Sequence, residues 1–449
     1  GDTLPSKTGN EVKRTNSKFM TVKLNQFIAF VALISTLLMS KSTDAQAVKI
    51  HEGTAFKSGI CEPSISVDPT NKNNIYAGSI LNNFYQSTDA GATWAISTIT
   101  SPHGVWGDPC IITDYSGRTY YFHLSDPEGT NWQSDRILDR MVCQSKDGPE
   151  DQFNEGSFTQ INGKKHDKEW AAVHPSNGTI GLSWTQFDSY GTTDPSCTST
   201  ILYSESIDRG DTWSSPTIIS ERTGDCVDDD KTAEGAVPAF GLNNERYVGW
   251  ALDHKIYFNR SLDGLVWEEF EVATQKAGWT QSYDGFSRCN GMPITVVDQC
   301  PSSPFYGRIF MCWGDNSEQT GGEVYMSYSD NAGENWSKPM GISNNGGSSD
   351  QFLPWITIDP TSGFLYAVFY DRRNTTEKTE TNTYLAISKD GGSSWTEQQI
   401  NDVPFSPSNA VFMGDYNHIS AYGGVVRPIW TELKDSKKSV WTYLYNETY

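Results

Sequence analysis

Four stretches of this chain share one eight-residue phrase. They are "STDAGATW" at Ser87–Trp94, "SIDRGDTW" at Ser206–Trp213, "SDNAGENW" at Ser329–Trp336 and "SKDGGSSW" at Ser388–Trp395. A copy without the tryptophan starts at Ser145, and one a residue short starts at Ser261. Six copies spaced 55–68 residues apart mean that one supersecondary unit recurs along the chain. Each copy reads as a turn. Its Asp can accept hydrogen bonds from its own backbone, its Gly can take a positive φ, and its Trp packs inward. Between copies the text is short strand signals broken by Gly, Pro, Asn and Asp, with no long helical period. Each interval is the length of one four-stranded propeller blade with its loops.

A second count uses the strand pair before each phrase: a polar start, an apolar strand, a turn, a second apolar strand. Such modules start at Glu62, Asp108, Glu169, Glu234, Asn290, Gln351 and Asp415. This count gives seven. The last module is one strand short, and "AVKIHEG" at Ala47–Gly53 is a spare strand. The expectation is therefore an all-β, seven-bladed β-propeller closed by the N-terminal strand, which leaves only short, protected edges. A six-bladed, sialidase-like propeller with a terminal appendage is the alternative.

The phrase resembles the Asp-box of BNR repeats, and the chain is similar over most of its length to the sialidase superfamily and related Asp-box propellers. That resemblance implies a propeller whose Asp-box turns lie opposite the ligand face, so the boxes are fold signals and not chemistry. Sialidases clamp a sugar carboxylate with three arginines, the first in an Arg-Ile-Pro motif. The matching text here is Cys61-Glu62-Pro63, so a cysteine holds the arginine position. The next loop, Leu81-Asn82-Asn83-Phe84, has neither the Asp nor the second Arg that the family places there. Conventional exo-sialidase activity is not expected.

Charge narrows the partners. Lys plus Arg is 34 against 55 Asp plus Glu, a net charge of −21. That balance argues against nucleic acid and anionic membrane surfaces, which need basic patches. Met20 opens a secretory pattern: Lys23, an apolar run over Phe27–Met39, and Ala45-Gln46-Ala47 as a cleavage site. The run is too short to span a membrane as a helix. The organisation expected is an upstream segment over residues 1–19, a signal peptide over 20–47, and a single propeller domain over 48–449. The mature chain would be secreted or periplasmic, with no membrane insertion. Among eight cysteines, Cys197 and Cys226 sit in loop-like text and are the best candidates for a bridge.

Chemistry is expected on the face where chains enter the innermost strands. The module starts imply a ring of carboxylates there, with Asp108, Glu169, Glu234 and Asp415 as acid/base candidates. The same ring is the candidate site for a calcium ion, through oxygen ligands. Asp225, Asp228, Asp229 and Asp230 form a second acidic run, without the spacing of a calcium-binding hand. Arg140, Arg288, Arg372 and Arg373 are the candidate anion clamps. Trp355 and Tyr416 are placed to stack on a sugar or to plug the channel. His166 reads as a loop histidine, a proton shuttle or simply solvated. Two readings stay open. One is a carbohydrate-active protein, a glycoside hydrolase or lyase on an acidic glycan. The other is a non-catalytic propeller that binds glycan or protein.

Overall fold

The computed structural model describes residues 45–449 apart from 57–58, 130–131, 320 and 345–348. The upstream segment and most of the signal-peptide pattern lie outside the described residues. The described chain is a seven-bladed β-propeller. The first strand of each blade is innermost: Ser64–Val67, Cys110–Thr113, Lys165–Val173, Glu234–Phe240, Ile294–Val297, Gln351–Ile358 and His418–Tyr422. Each touches the first strand of the next blade, and the seventh returns to the first. Six blades are antiparallel sheets of four consecutive strands. In the seventh, Ala47–Glu52 pairs antiparallel with Lys437–Tyr443 and is the outermost strand. Among the described residues no helix is long and apolar enough to cross a membrane.

The repeated phrase joins the third and fourth strands of its blade. In the first blade it follows Asn83–Ser87 and precedes Ala95–Thr98. The Asp89 carboxylate accepts from the Thr93 N–H (2.8 Å) and from the Ser87 hydroxyl (2.8 Å), whose oxygen accepts from the Gly91 N–H (2.8 Å). The third blade repeats this geometry at Ser206, Asp208, Gly210 and Thr212. These bonds close the turn locally, so the phrase forms wherever its letters occur.

The core lies between blades. Trp184, Trp250, Trp313 and Trp430 stand in the second strands of four blades, and all are fully buried. Each is worth roughly 3–5 kcal/mol against truncation to alanine. Cys197 and Cys226 form the disulfide expected of them. The other six cysteines are buried thiols. Arg427 is almost completely buried and ties the seventh blade to the first. Its guanidinium donates to the carbonyls of Ala90 (2.8 Å), Val426 (2.7 Å) and Tyr445 (2.6 Å).

Candidate functional site

Five of the seven innermost strands begin in the same distorted way. The pairs from which the seven inner ladders run without a break are Ser64 with Gly78, Cys110 with Phe122, Trp170 with Ser183, Val237 with Gly249, Ile294 with Cys312, Trp355 with Val368 and His418 with Ile429. In five blades the residue two places earlier is left-handed: Glu62 (φ 52°), Asp108 (φ 51°), Lys168 (φ 53°), Gly235 (φ 72°) and Leu353 (φ 48°). In the third, fourth and sixth blades it sits inside a β-bulge. A bulge re-aims side chains, and left-handed backbone at residues other than glycine is strain that the surrounding structure must hold in place.

This geometry corrects the ring expected from the text. The residues equivalent to Glu62 and Asp108 are Lys168, Gly235, Met292, Leu353 and Tyr416, and not Glu169, Glu234 or Asp415. Asp167, Glu234 and Asp415 stand one residue earlier, level with Cys61.

A cavity of about 760 Å³ opens on this face. Glu62, Asp108, Asp167, Lys168, Arg288 and Asp415 supply its polar lining, and Trp106, Trp132, Tyr190, Phe56 and Phe412 its aromatic lining. Below it the channel is plugged. The Trp170 and Trp355 rings lie 4.3 Å apart, and both pack on His418.

Asp415 is the electrostatic centre. Lys168 Nζ and Arg288 Nη2 each donate to its Oδ2 at 2.6 Å. Burial pushes this carboxyl up, but the two cations outweigh burial and hold it at about 2. Its backbone is fixed as well. Asn290 Nδ2 donates to the Asp415 carbonyl (2.7 Å), and the Asp415 N–H points at Glu62 Oε2 (3.4 Å). The preceding Gly414 has φ 96°, and a Cβ there would stand 2.9 Å from Glu62. Only glycine lets the two segments approach so closely. Arg288 arrives on a hairpin, Thr280–Tyr283 with Phe286–Asn290, inserted before the fifth blade. Its guanidinium covers the Phe412 ring at 5.6 Å.

The other carboxyls behave oppositely. Burial raises Glu62 well above the usual range, and the charges of Asp108 and Asp415 add to it. Burial, then Asp108, raises Asp167. No donor among the described residues reaches the Asp108 carboxyl, which is 9% exposed.

The sequence candidates divide. Asp108, Asp415 and Arg288 line the cavity. Glu169 and Glu234 are buried behind it with no donor to either oxygen, and both are raised, Glu169 by burial and Asp108, Glu234 by burial and Asp228. Arg140 lies away from the lining, forked onto Asp139 at 2.6 and 2.9 Å. Arg373 is bound by Asp371 and Glu397, and Arg372 donates to the Asp284 carbonyl, so neither joins Arg288. Trp355 belongs to the plug, and Tyr416 donates to the Pro109 carbonyl at 3.2 Å. His166 is no loop residue. It is buried in the third blade's inner strand, accepts from Trp184 Nε1 (2.8 Å), and burial lowers it to about 4. The acidic run around Cys226 is taken up by internal bonds: Asp225 accepts from the Thr232 hydroxyl, and Asp228 from the Tyr190 hydroxyl at 2.7 Å. Among the described residues no three His, Cys, Asp or Glu side chains form a metal-binding group.

Glu62 belongs to the expected carboxylate ring but not to its acid/base candidates, and Asp167 and Lys168 are not among the site residues expected from the sequence. A signal for them existed. Pro follows the left-handed residue at Glu62-Pro63, Asp108-Pro109 and Leu353-Pro354, and that register aligns Lys168 with Glu62.

No family model and no curated protein matches the chain. Among solved structures it is similar to a protein of unknown function from Dyadobacter fermentans DSM 18053, at 11% identity over 90% of this chain and 98% of that one, with a TM-score of 0.51. It is also similar to a polysaccharide lyase, the PL25 ulvan lyase, at 13% identity over 88% and 96% of the two chains, with a TM-score of 0.52. An intramolecular trans-sialidase from Ruminococcus gnavus matches at 16% identity over 88% and 96%, with a TM-score of 0.40. Identities this low speak for the shared fold alone.

Proposed function

We propose that this protein is an exported, carbohydrate-active propeller that cleaves a glycosidic bond by acid–base catalysis in the 760 Å³ cavity. The observation that carries the reading is the pairing of Glu62 with Asp108. They hold equivalent strained positions in adjacent blades, line one cavity, and interact strongly enough for the charge of Asp108 to raise Glu62. Glu62, kept in its acid form, donates its proton to the bridging oxygen as the bond to the anomeric carbon breaks, and a solvent water then bonds to that carbon and returns a proton to Glu62. The Asp108 carboxyl faces the positive charge that develops on that carbon, the division of labour of a two-carboxyl glycosidase. Trp106 and Trp132, stacked at 5.6 Å, supply apolar faces for sugar rings. Export is supported by the pattern around Phe27–Met39 and Ala45–Ala47.

The test is sugar release from a glycan panel, including fluorogenic aryl glycosides, by the chain from Val48 onward. Turnover that falls about 10²–10⁴-fold in Glu62→Gln and Asp108→Asn is the expected result. Binding without turnover would leave the non-catalytic glycan-binding reading. Failure to bind any glycan would remove the carbohydrate assignment itself.

A further inference from the structure

Once Glu62 and Asp108 are given to the acid–base step, one carboxyl in the cavity has no task. Asp415 is already neutralised by Lys168 and Arg288. Asp167 is not. It is 7% exposed and lines the cavity. Its Oδ1 accepts from the backbone N–H of Lys168 at 2.9 Å, and no side chain among the described residues donates to either oxygen. The charged and titratable groups around it are Asp108, Asp228, Glu169, Glu234, Tyr190, Lys168 and Arg288. The two cations direct their hydrogen bonds at Asp415, and Asp228 is a further acid.

The cavity is therefore rich in acceptors that lack donors. Asp108 and Asp167 both line it, and among the described residues no donor reaches the Asp108 carboxyl or Asp167 Oδ2. An anionic sugar placed there would meet carboxyls on several sides, with only the outward part of Arg288 to answer it. A ligand with hydroxyls and a positive charge would satisfy what the walls leave open. The aromatic faces of Trp106, Trp132 and Tyr190 suit a pyranose ring rather than a bare cation.

We propose, on the basis of the carbohydrate reading above, that the cavity receives a glycan bearing a free amine, and that Asp167 accepts the ammonium group of that amino sugar. This departs from the acidic glycan expected from sequence. It also gives binding a proton balance. Burial and Asp108 keep Asp167 protonated above the usual carboxylate range, and an ammonium drives that proton out into solvent.

The experiment is calorimetric titration with oligosaccharides of glucosamine and of galactosamine, their fully N-acetylated counterparts, and an oligogalacturonate of the same length. Expected is an affinity about tenfold or more higher for an amine form than for its N-acetylated counterpart, as one charge-assisted contact provides. Proton release on amine binding should appear as heat that varies with the ionisation enthalpy of the buffer. In Asp167→Asn the amine preference and the proton release should vanish while affinity for the N-acetylated form stays, which also reports that the variant is folded. Equal affinity for amine and N-acetylated forms in the unaltered protein, or tightest binding of the uronate, would overturn the proposal and leave the carbohydrate reading standing. Binding of none of the five would overturn the proposal, and the wider glycan panel then decides the carbohydrate reading separately.

Discussion

The ammonium of Lys168 and the carboxylate of Asp415 meet at 2.6 Å, one from the third blade and the other from the segment entering the seventh. The two blades are not neighbours in the ring, so this ion pair bridges the mouth of the channel. Both side chains are nearly completely buried, at 5% and 3% exposure. Such a pair is costly to form and more costly to break.

Lys168→Met leaves Asp415 buried with Arg288 alone. Loss of roughly 3–5 kcal/mol is expected in chemical denaturation. Adding Asp415→Asn should recover most of that loss, because the uncompensated charge disappears. A single variant as stable as the double one would show that the pair is not coupled.

Glu169 and Glu234 are raised mainly by burial, so they weaken the fold as pH climbs. A carboxyl with a raised folded pKa is without penalty below its unfolded value of about 4.3, and the penalty grows until the folded pKa is passed. Glu169→Gln and Glu234→Gln should therefore flatten the decline of Tm on the alkaline side and change little at pH 4. A steeper alkaline decline in either variant would contradict the assignment.

Reduction of the Cys197–Cys226 bridge, or Cys197→Ser with Cys226→Ser, should cost about 3–4 kcal/mol for a sequence separation of 29. The effect should also reach the cavity. Tyr190 packs with both cysteines and donates to Asp228 at 2.7 Å, so the bridge holds that wall. Glycan affinity that falls along with stability would separate this wall from a merely distant staple.

Arg427→Met should destabilise by roughly 3 kcal/mol, because the carbonyls of Ala90, Val426 and Tyr445 lose a buried donor. The urea midpoint is the measurement. An unchanged midpoint would mean that the latch between the seventh and first blades is dispensable.

What could be read from the text followed the range of the interactions. The turn at Ser206–Trp213 is closed by bonds within itself, so its letters identify it anywhere; the six turns mark the repeat, and counting the strand pairs before them gives seven blades. The cavity is built differently. Asp415 meets Lys168 and Arg288 from far along the chain, and no local pattern announces that meeting. The side chains that face the cavity are chosen by bulges and left-handed residues at Glu62, Asp108 and Lys168, which shift register by one residue. An alignment by charge put Glu169 where the backbone puts Lys168. The arginines were misplaced for a related reason. Arg140 and Arg373 have their own acids within a few residues or across the same blade, and those partners decide where they point.

The pairing of Ala47–Glu52 with Lys437–Tyr443 sets a timetable for the chain. Those two strands lie near opposite ends of the described sequence, so a chain still emerging from the ribosome holds an open arc with a bare edge at each end. Closing it is a single, extremely non-local event that must await synthesis of Lys437–Tyr443. Contacts of that kind form slowly, and the waiting edges invite pairing with other molecules. Yield on refolding should therefore depend on protein concentration far more than on temperature, with dilution protecting the arc until its two ends find each other.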